Sequence, residues 1–304
     1  MSPLANEFSW SHSRHEVFQA CLKKYYFAYY GAWGGWSESA PARVRELYLL
    51  KRLHTRQQWA GHHVHQAIEF LLRNGRKDPA AAAGAEARQL DLMRREFRDS
   101  RAGAYRGDPV HIPGLFEHEY RLDVPPEEWK ATVDRVALAI RNFLASELWR
   151  ELQARPDEDL LAVERRAHFL LDGLKVHAVP DLVLRGKTGL RIYDWKTGAA
   201  DLAEHRTQLG VYVLLAAGRW TADPAGIQAL AYHPVSNRCA EFAYTAGDLE
   251  TLREFIRDSA DEMLFPLENP ETNAAGDGSG FECTGDEAPC KSCVFLRACP
   301  RWGA

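Results

Sequence analysis

Apolar residues recur at helical spacing through the first half of the chain and at strand spacing through much of the second. Residues 14–30 predict an aromatic-rich helix ending at Gly31. Residues 41–72 are periodic, with Pro41 at a favoured helix start and Gly75 just past the end. Another helix begins at Ala80, weakened early by Gly84, and 127–153 returns to helix. Between them, 103–126 is broken by glycine and proline and reads as loop with a short strand.

The pattern changes near Leu160. The segments LLAVERRAHFLLDG, LKVHAVPDLVL and LRIYDWKTG are β-rich and punctuated by Gly173, Gly186, Gly189 and Gly198. They predict three consecutive strands of a meander. A helix over 203–217, strands in IQALAYHP and CAEFAYT, and a helix over 248–264 follow. Residues 266–289 read as loop, and the chain closes on CKSCVFLRACPRWGA. The expected class is α/β. A mixed β-sheet core over 160–265 is flanked by helices, with a large N-terminal helical lobe over 1–159 and a C-terminal cysteine-rich tail over 266–304.

Composition narrows the class without fixing the function. With 304 residues, 46% hydrophobic and 26% charged, the chain has ample apolar material for a core. A mainly disordered chain, a collagen-like repeat and a small disulfide scaffold are excluded. No apolar run approaches the roughly 18 residues of a membrane span, and the first residues lack the apolar stretch of a signal peptide. The expectation is a soluble cytoplasmic protein with no membrane partner. The net charge of −4 hides an asymmetry: residues 1–110 carry 17 Lys and Arg against 11 Asp and Glu, and the remainder 21 against 31. A basic first third offers phosphates a surface, and an acidic remainder can hold cation-binding carboxylates.

The most informative chemistry lies in Val179-Pro-Asp181 followed by Asp194-Trp-Lys196. Residues i and i+2 of a strand share a face, so Asp194 and Lys196 can face one cavity. A hairpin pairing of their strands brings Asp181 alongside, with Glu164 in the strand before. Close carboxylates repel unless a cation neutralises them, and a hard divalent ion such as Mg2+ or Mn2+ suits oxygen ligands. The lysine can stabilise charge growing on a phosphate or help deprotonate an attacking water.

The tail holds a second cluster, Cys290-x2-Cys293-x5-Cys299. A closed zinc site or an iron–sulfur cluster requires a fourth thiolate. Cys283, close in sequence, and Cys21, far away, both qualify on local chemistry. Cys239, in a predicted strand, reads as a small core residue. Elsewhere, Arg45, Arg52 and Arg56 fall at i, i+7 and i+11 of the periodic 41–72 segment. Lys23 and Lys24 sit among tyrosines, and Trp33 and Trp36 follow between glycines. Cations interleaved with aromatics are what a sequence-tolerant single-strand groove uses.

The ordered set Gly61/His65, Asp181, Asp194-Trp-Lys196-Thr-Gly198 and Gln208/Tyr212 resembles the RecB-type nuclease family of the PD-(D/E)xK superfamily. The resemblance covers about Ser9 to Pro300. It extends to the iron–sulfur branch, with its AddB-like, CRISPR-associated and exonuclease V-like relatives. It implies a restriction-endonuclease-like core and a single nuclease domain over 1–304. It further implies a metal held by His65, Asp181 and Asp194, with Lys196 acting on the water. Gln208 and Tyr212 would position Lys196 or the DNA backbone. It also implies Cys21, Cys290, Cys293 and Cys299 around a 4Fe–4S cluster that staples the chain ends, leaving Cys283 without a role.

The expected activity is a metal-dependent deoxyribonuclease, acting as an exonuclease on single-stranded or frayed DNA ends and leaving 5′-phosphate and 3′-hydroxyl. Arg45, Arg52 and Arg56 would touch phosphate. DNA repair, CRISPR adaptation and phage defence are the settings the family suggests. No P-loop is present, so a helicase or integrase partner would be another chain. The competing expectation is a non-catalytic DNA-binding scaffold keeping the nuclease fold, against which the complete D-x-K stands. A zinc-stapled nuclease without iron is the third.

Overall fold

The computed structural model describes residues 5–187, 189–198 and 205–302. The helical first half is cut more finely than its periodicity suggests. The predicted 14–30 helix divides into α1 (His12–Ala20), α2 (Leu22–Tyr26) and a π-turn over Phe27–Gly31. The break falls at Cys21, whose extended backbone (φ −172°) restarts the helix and whose sulfur accepts from the Lys24 amide. The 41–72 segment is likewise two helices, α3 (Ala42–Lys51) and α4 (Arg56–Phe70). They are separated by the short strand β1 (Leu53–His54) and restarted by a Thr55/Gln58 capping box. Arg45 lies on α3, Arg52 is its C-cap and Arg56 opens α4, so the three do not share one helix face.

Helix α5 (Pro79–Arg101) follows, then β2 (Gly114–Leu115) beside β1, and the short α6 (Phe116–Glu119). The 127–153 helix is realised as α7 (Pro126–Ala145) and α8 (Glu147–Ala154), interrupted where Ser146 caps the second.

The meander expectation is corrected. Strands β3 (Leu160–Val163), β6 (Leu182–Arg185), β7 (Leu190–Trp195), β8 (Ile227–His233) and β9 (Arg238–Phe242) form the five-stranded sheet in the order β3-β6-β7-β8-β9. Strands β4 (Ala167–Leu171) and β5 (Leu174–Ala178) form a separate hairpin. The cause is Glu164, which takes a left-handed backbone (φ 47°) and turns the chain out of the main sheet. Within the five-stranded sheet the pairs are antiparallel except β7–β8, which is parallel. That connection runs through α9 (Arg206–Trp220), the usual solution for parallel neighbours. The start of the predicted 203–217 helix lies outside the described residues. The last long helix, α10 (Ala246–Leu264), opens on a Thr245/Asp248 capping box.

Strand alternation gives the sheet two buried faces. Val183, Leu190, Ile192, Ala229 and Ala231 pack with α9 and α10, whereas Leu182, Leu184, Tyr193, Trp195 and Tyr232 pack with α4, α5, α7 and α8. Cys239, expected inside, is exposed on edge strand β9. The chain ends fold back onto the rest. Trp10 bridges to Val176 of β5, Phe27 packs on Phe295, and the Tyr120 hydroxyl donates to the Val294 carbonyl. Among the described residues, no helix is long and apolar enough to cross a membrane.

Candidate active site

Antiparallel β6–β7 pairing sets Leu182 opposite Tyr193, which brings Asp181, just before β6, beside Asp194. Asp194 lies on the α9 side of the sheet with Ile192. Lys196, two residues on, stays tied to the sheet through its amide, which donates to the Tyr232 carbonyl. The expected i, i+2 meeting occurs, with Lys196 Nζ 2.5 Å from Asp194 Oδ2. Helix α4 carries His65 in from the other side. Gly61, one turn earlier, faces Thr197, where an added Cβ would lie 2.9 Å from Oγ1. A glycine there lets α4 approach the D-x-K-T-G loop.

His65 is the hub. Its Nδ1 lies 3.1 Å from both Glu164 Oε1 and Asp181 Oδ1, and its Nε2 lies 3.1 Å from the Trp195 carbonyl oxygen. Asp181 also accepts the Trp195 amide at 2.5 Å. Lys196 Nζ donates to Gln208 Oε1 at 2.5 Å, and Gln208 Nε2 donates to the Tyr212 hydroxyl at 2.9 Å. Gln208 and Tyr212, four residues apart on α9, therefore hold the lysine from behind. All of these groups line a cavity of about 450 Å³, together with Ser11, His12, Tyr29 and Arg166.

Charge in this cleft is expensive. Burial raises Asp181 to about 7 against the pull of the His65 imidazole, with Asp194 and Glu164 adding to the rise. Burial raises Asp194 as well, with Lys196 opposing. For His65, burial disfavours the charged ring, but the Asp181 and Glu164 carboxylates outweigh it and lift it well above the ordinary histidine range. Burial keeps the Tyr212 phenol protonated.

The donor set tests the fit of a cation. The ligand atoms of His65, Glu164 and Asp181 all lie within 4.8 Å of one another. Two carboxylates and one imidazole suit a hard or borderline divalent ion. Asp194 shares the cleft but is turned to Lys196. Glu164 is the residue that sequence reasoning placed in a strand without making it a ligand. Its signal was the left-handed kink, which no spacing rule reveals. His12 also went unnoticed; its Nδ1 is buried without a hydrogen-bond partner among the described residues.

The remaining predicted residues lie away from the cleft. Cys21, Cys290, Cys293 and Cys299 line one pocket, with Cys283 Sγ 3.6 Å from Cys299 Sγ. Arg56 is committed internally. It donates to the Glu128 carbonyl at 2.8 Å and to Thr132 at 2.9 Å, and it pairs with the Glu128 carboxylate. Arg52 and Arg45 are exposed, bonding the Tyr48 hydroxyl and the Glu38 carbonyl.

A mixed sheet whose strand ends gather acids, a lysine and a helix-borne histidine in one cleft defines a phosphodiester-hydrolase class of architecture. The chain belongs to the PD-(D/E)XK nuclease superfamily, whose family pattern it matches over residues 9–300. It is also similar to a solved structure titled "Crystal structure of SSO0001", at 18% identity and a TM-score of 0.29 over 62% of this chain and 79% of that one. No curated protein matches it.

Proposed function

We propose that this protein is a RecB-type, metal-dependent deoxyribonuclease acting at single-stranded or frayed DNA ends. One observation carries the reading: His65, Glu164, Asp181, Asp194 and Lys196 line a single cleft. His65, Asp181 and Glu164 would hold Mg2+ or Mn2+, with Asp194 completing the set as Lys196 shifts toward substrate. When bound, the ion supplies Lewis-acid activation of water and charge for the phosphate. Lys196, held by Gln208 and Tyr212, orients the attacking water and sets the Nζ charge against the phosphate. Burial of the carboxylates excludes bulk water from the reacting phosphate.

In the same reading the chain is one nuclease domain, and Cys21, Cys290, Cys293 and Cys299 hold a 4Fe–4S cluster. A tetrahedral zinc site needs sulfurs about 3.8 Å apart, given a Zn–S bond of roughly 2.3 Å. Among the described residues, no three cysteine sulfurs gather within 4.8 Å. Arg45 and Arg52 would serve as phosphate contacts. Repair, CRISPR adaptation and phage defence are the settings proposed, with a helicase or integrase as partner.

The deciding experiment incubates end-labelled single- and double-stranded DNA with Mn2+, comparing wild type with Asp194→Ala. Metal-dependent cleavage lost in the variant is expected. No cleavage by wild type, or equal cleavage by both, returns the protein to the scaffold reading.

A further inference from the structure

Two large aromatic side chains stand out of the surface side by side. Trp33 and Trp36 are 40% and 47% exposed, with ring centroids 5.1 Å apart and planes at 84°. Isolated exposed apolar residues are ordinary, but a paired, ordered display is a feature to explain.

The loop that carries them is built to hold them. Gly34 takes a left-handed backbone (φ 83°) that other residues adopt only with strain. Gly35 packs so closely on α3 that an added Cβ would lie 2.3 Å from the Tyr48 Cβ. Successive turn hydrogen bonds close the loop, from the Trp33 amide to Tyr30 and from the Ser37 amide to Gly34. The result seats Trp36 edge-on to Tyr48, with centroids 6.1 Å apart.

Cations lie next to the pair. Arg45 and Tyr48 are one turn apart on α3, and Lys51 and the C-cap Arg52 follow at its end. The Arg52 guanidinium lies 5.3 Å from the Tyr48 ring, and Lys51 Nζ lies 5.1 Å from the Tyr29 ring. Tyr29 lines the catalytic cavity. An aromatic and cationic surface therefore runs from the exposed tryptophans to the edge of the cleft. Along α3, Arg45 to Arg52 spans about 10 Å at ~1.5 Å per residue, the length of about three stacked nucleotides at ~3.4 Å each.

We propose that Trp33 and Trp36 are a stacking platform for unpaired bases, with Lys51 and Arg52 on the adjoining phosphates, and that the strand continues over Tyr29 into the cleft. The proposal rests on the nuclease reading for the identity of the strand. Charge complementarity and continuity with the cleft favour a nucleic acid over a protein partner, whose hot spots also use exposed tryptophan.

The test reads binding without catalysis. Fluorescence anisotropy of labelled oligo(dT) and of a duplex is measured in EDTA, for wild type and for Trp33→Ala/Trp36→Ala. A loss of about tenfold or more on the single strand is expected, with the duplex within about twofold. Where circular dichroism shows the double variant unfolded, Arg52→Glu reads the same surface, with the same selective loss expected. Unchanged single-strand affinity overturns the platform and reassigns the pair to a protein partner. An equal loss on the duplex overturns base stacking. Since cleavage by Asp194→Ala is scored separately with metal, failure of the nuclease reading and failure of the platform are told apart.

Discussion

The carboxylate cleft and the cysteine-lined pocket both form where distant parts of the chain converge, and they solve different problems. In the cleft, His65 comes from a helix, while Asp181 and Asp194 flank or end paired strands and Glu164 follows one; all are backed by core side chains. The ligand atoms of His65, Glu164 and Asp181 already sit within one small sphere. In the pocket, Cys21 caps α2 and the other cysteines ride on short turns of the tail, where Cys283 and Cys299 approach each other at 3.6 Å. The first site is set mainly by a helix and paired strands. The second depends on loops, and what it binds would contribute to its shape.

The sharpest way to break this contrast is Asp181→Asn. Removing that charge is expected to reduce metal-dependent DNA cleavage on the order of a thousandfold, a loss of roughly 4 kcal/mol in transition-state stabilisation. Absorbance near about 400 nm, the mark expected of an iron–sulfur cluster, should not change. Parallel loss of both signals would mean that the two regions are not independent.

The reciprocal substitution is Cys293→Ser. It is expected to bleach that absorbance in anaerobically purified protein and to lower Tm by about 5 °C or more, since loss of a structural metal group removes folding free energy. Metal analysis that finds zinc and no iron in the wild type would replace the cluster.

A smaller effect tests Glu164, which lies beside His65 and Asp181. Glu164→Gln keeps the shape and is expected to weaken Mn2+ binding by about 10- to 100-fold in calorimetric titration. Unchanged affinity would return the third ligand position to Asp194.

The mildest prediction concerns acid. Burial lowers His12 to about 4, and it is also the leading cause that lowers His54, His118 and His177. The unfolded chain, with histidines near about 6.5, binds protons that these folded histidines refuse, so their contribution is present above that value and fades as pH falls. His65, raised by its carboxylates, acts with the opposite sign and gains below it. Asp181 and Asp194, raised by burial, act with His65. The lowered histidines, which also include His15, His62 and His233, outnumber these three, and Tm is expected to fall by a few degrees from about pH 7 to about pH 5. A rise would mean that the cleft dominates the titration.

Much of the site was legible because its chemistry is short-range in sequence. The Asp194–Lys196 meeting follows from strand period, and Gln208 and Tyr212 follow from helix period. The registration of Asp181 needed only the expected hairpin. The breaks were not legible, because each depends on a single backbone angle or cap. Cys21, Thr55 and Ser146 restart helices inside segments whose apolar spacing runs on. Arg56 looked free because Glu128, its partner, is remote in sequence and arrives on another helix.

The backfolding of the chain ends bears on the order of events during synthesis. Trp10 donates its amide to Lys175 and receives that of His177, so the first segment has no docking surface until the β4–β5 hairpin exists. Phe27 and Tyr120 wait longer still, for Phe295 and Val294. Such distant closures fold slowly and late. During synthesis the contacts of Phe27 and Tyr120 would therefore close only once residues 294 and 295 have left the ribosome, long after the strands at Asp181 and Asp194.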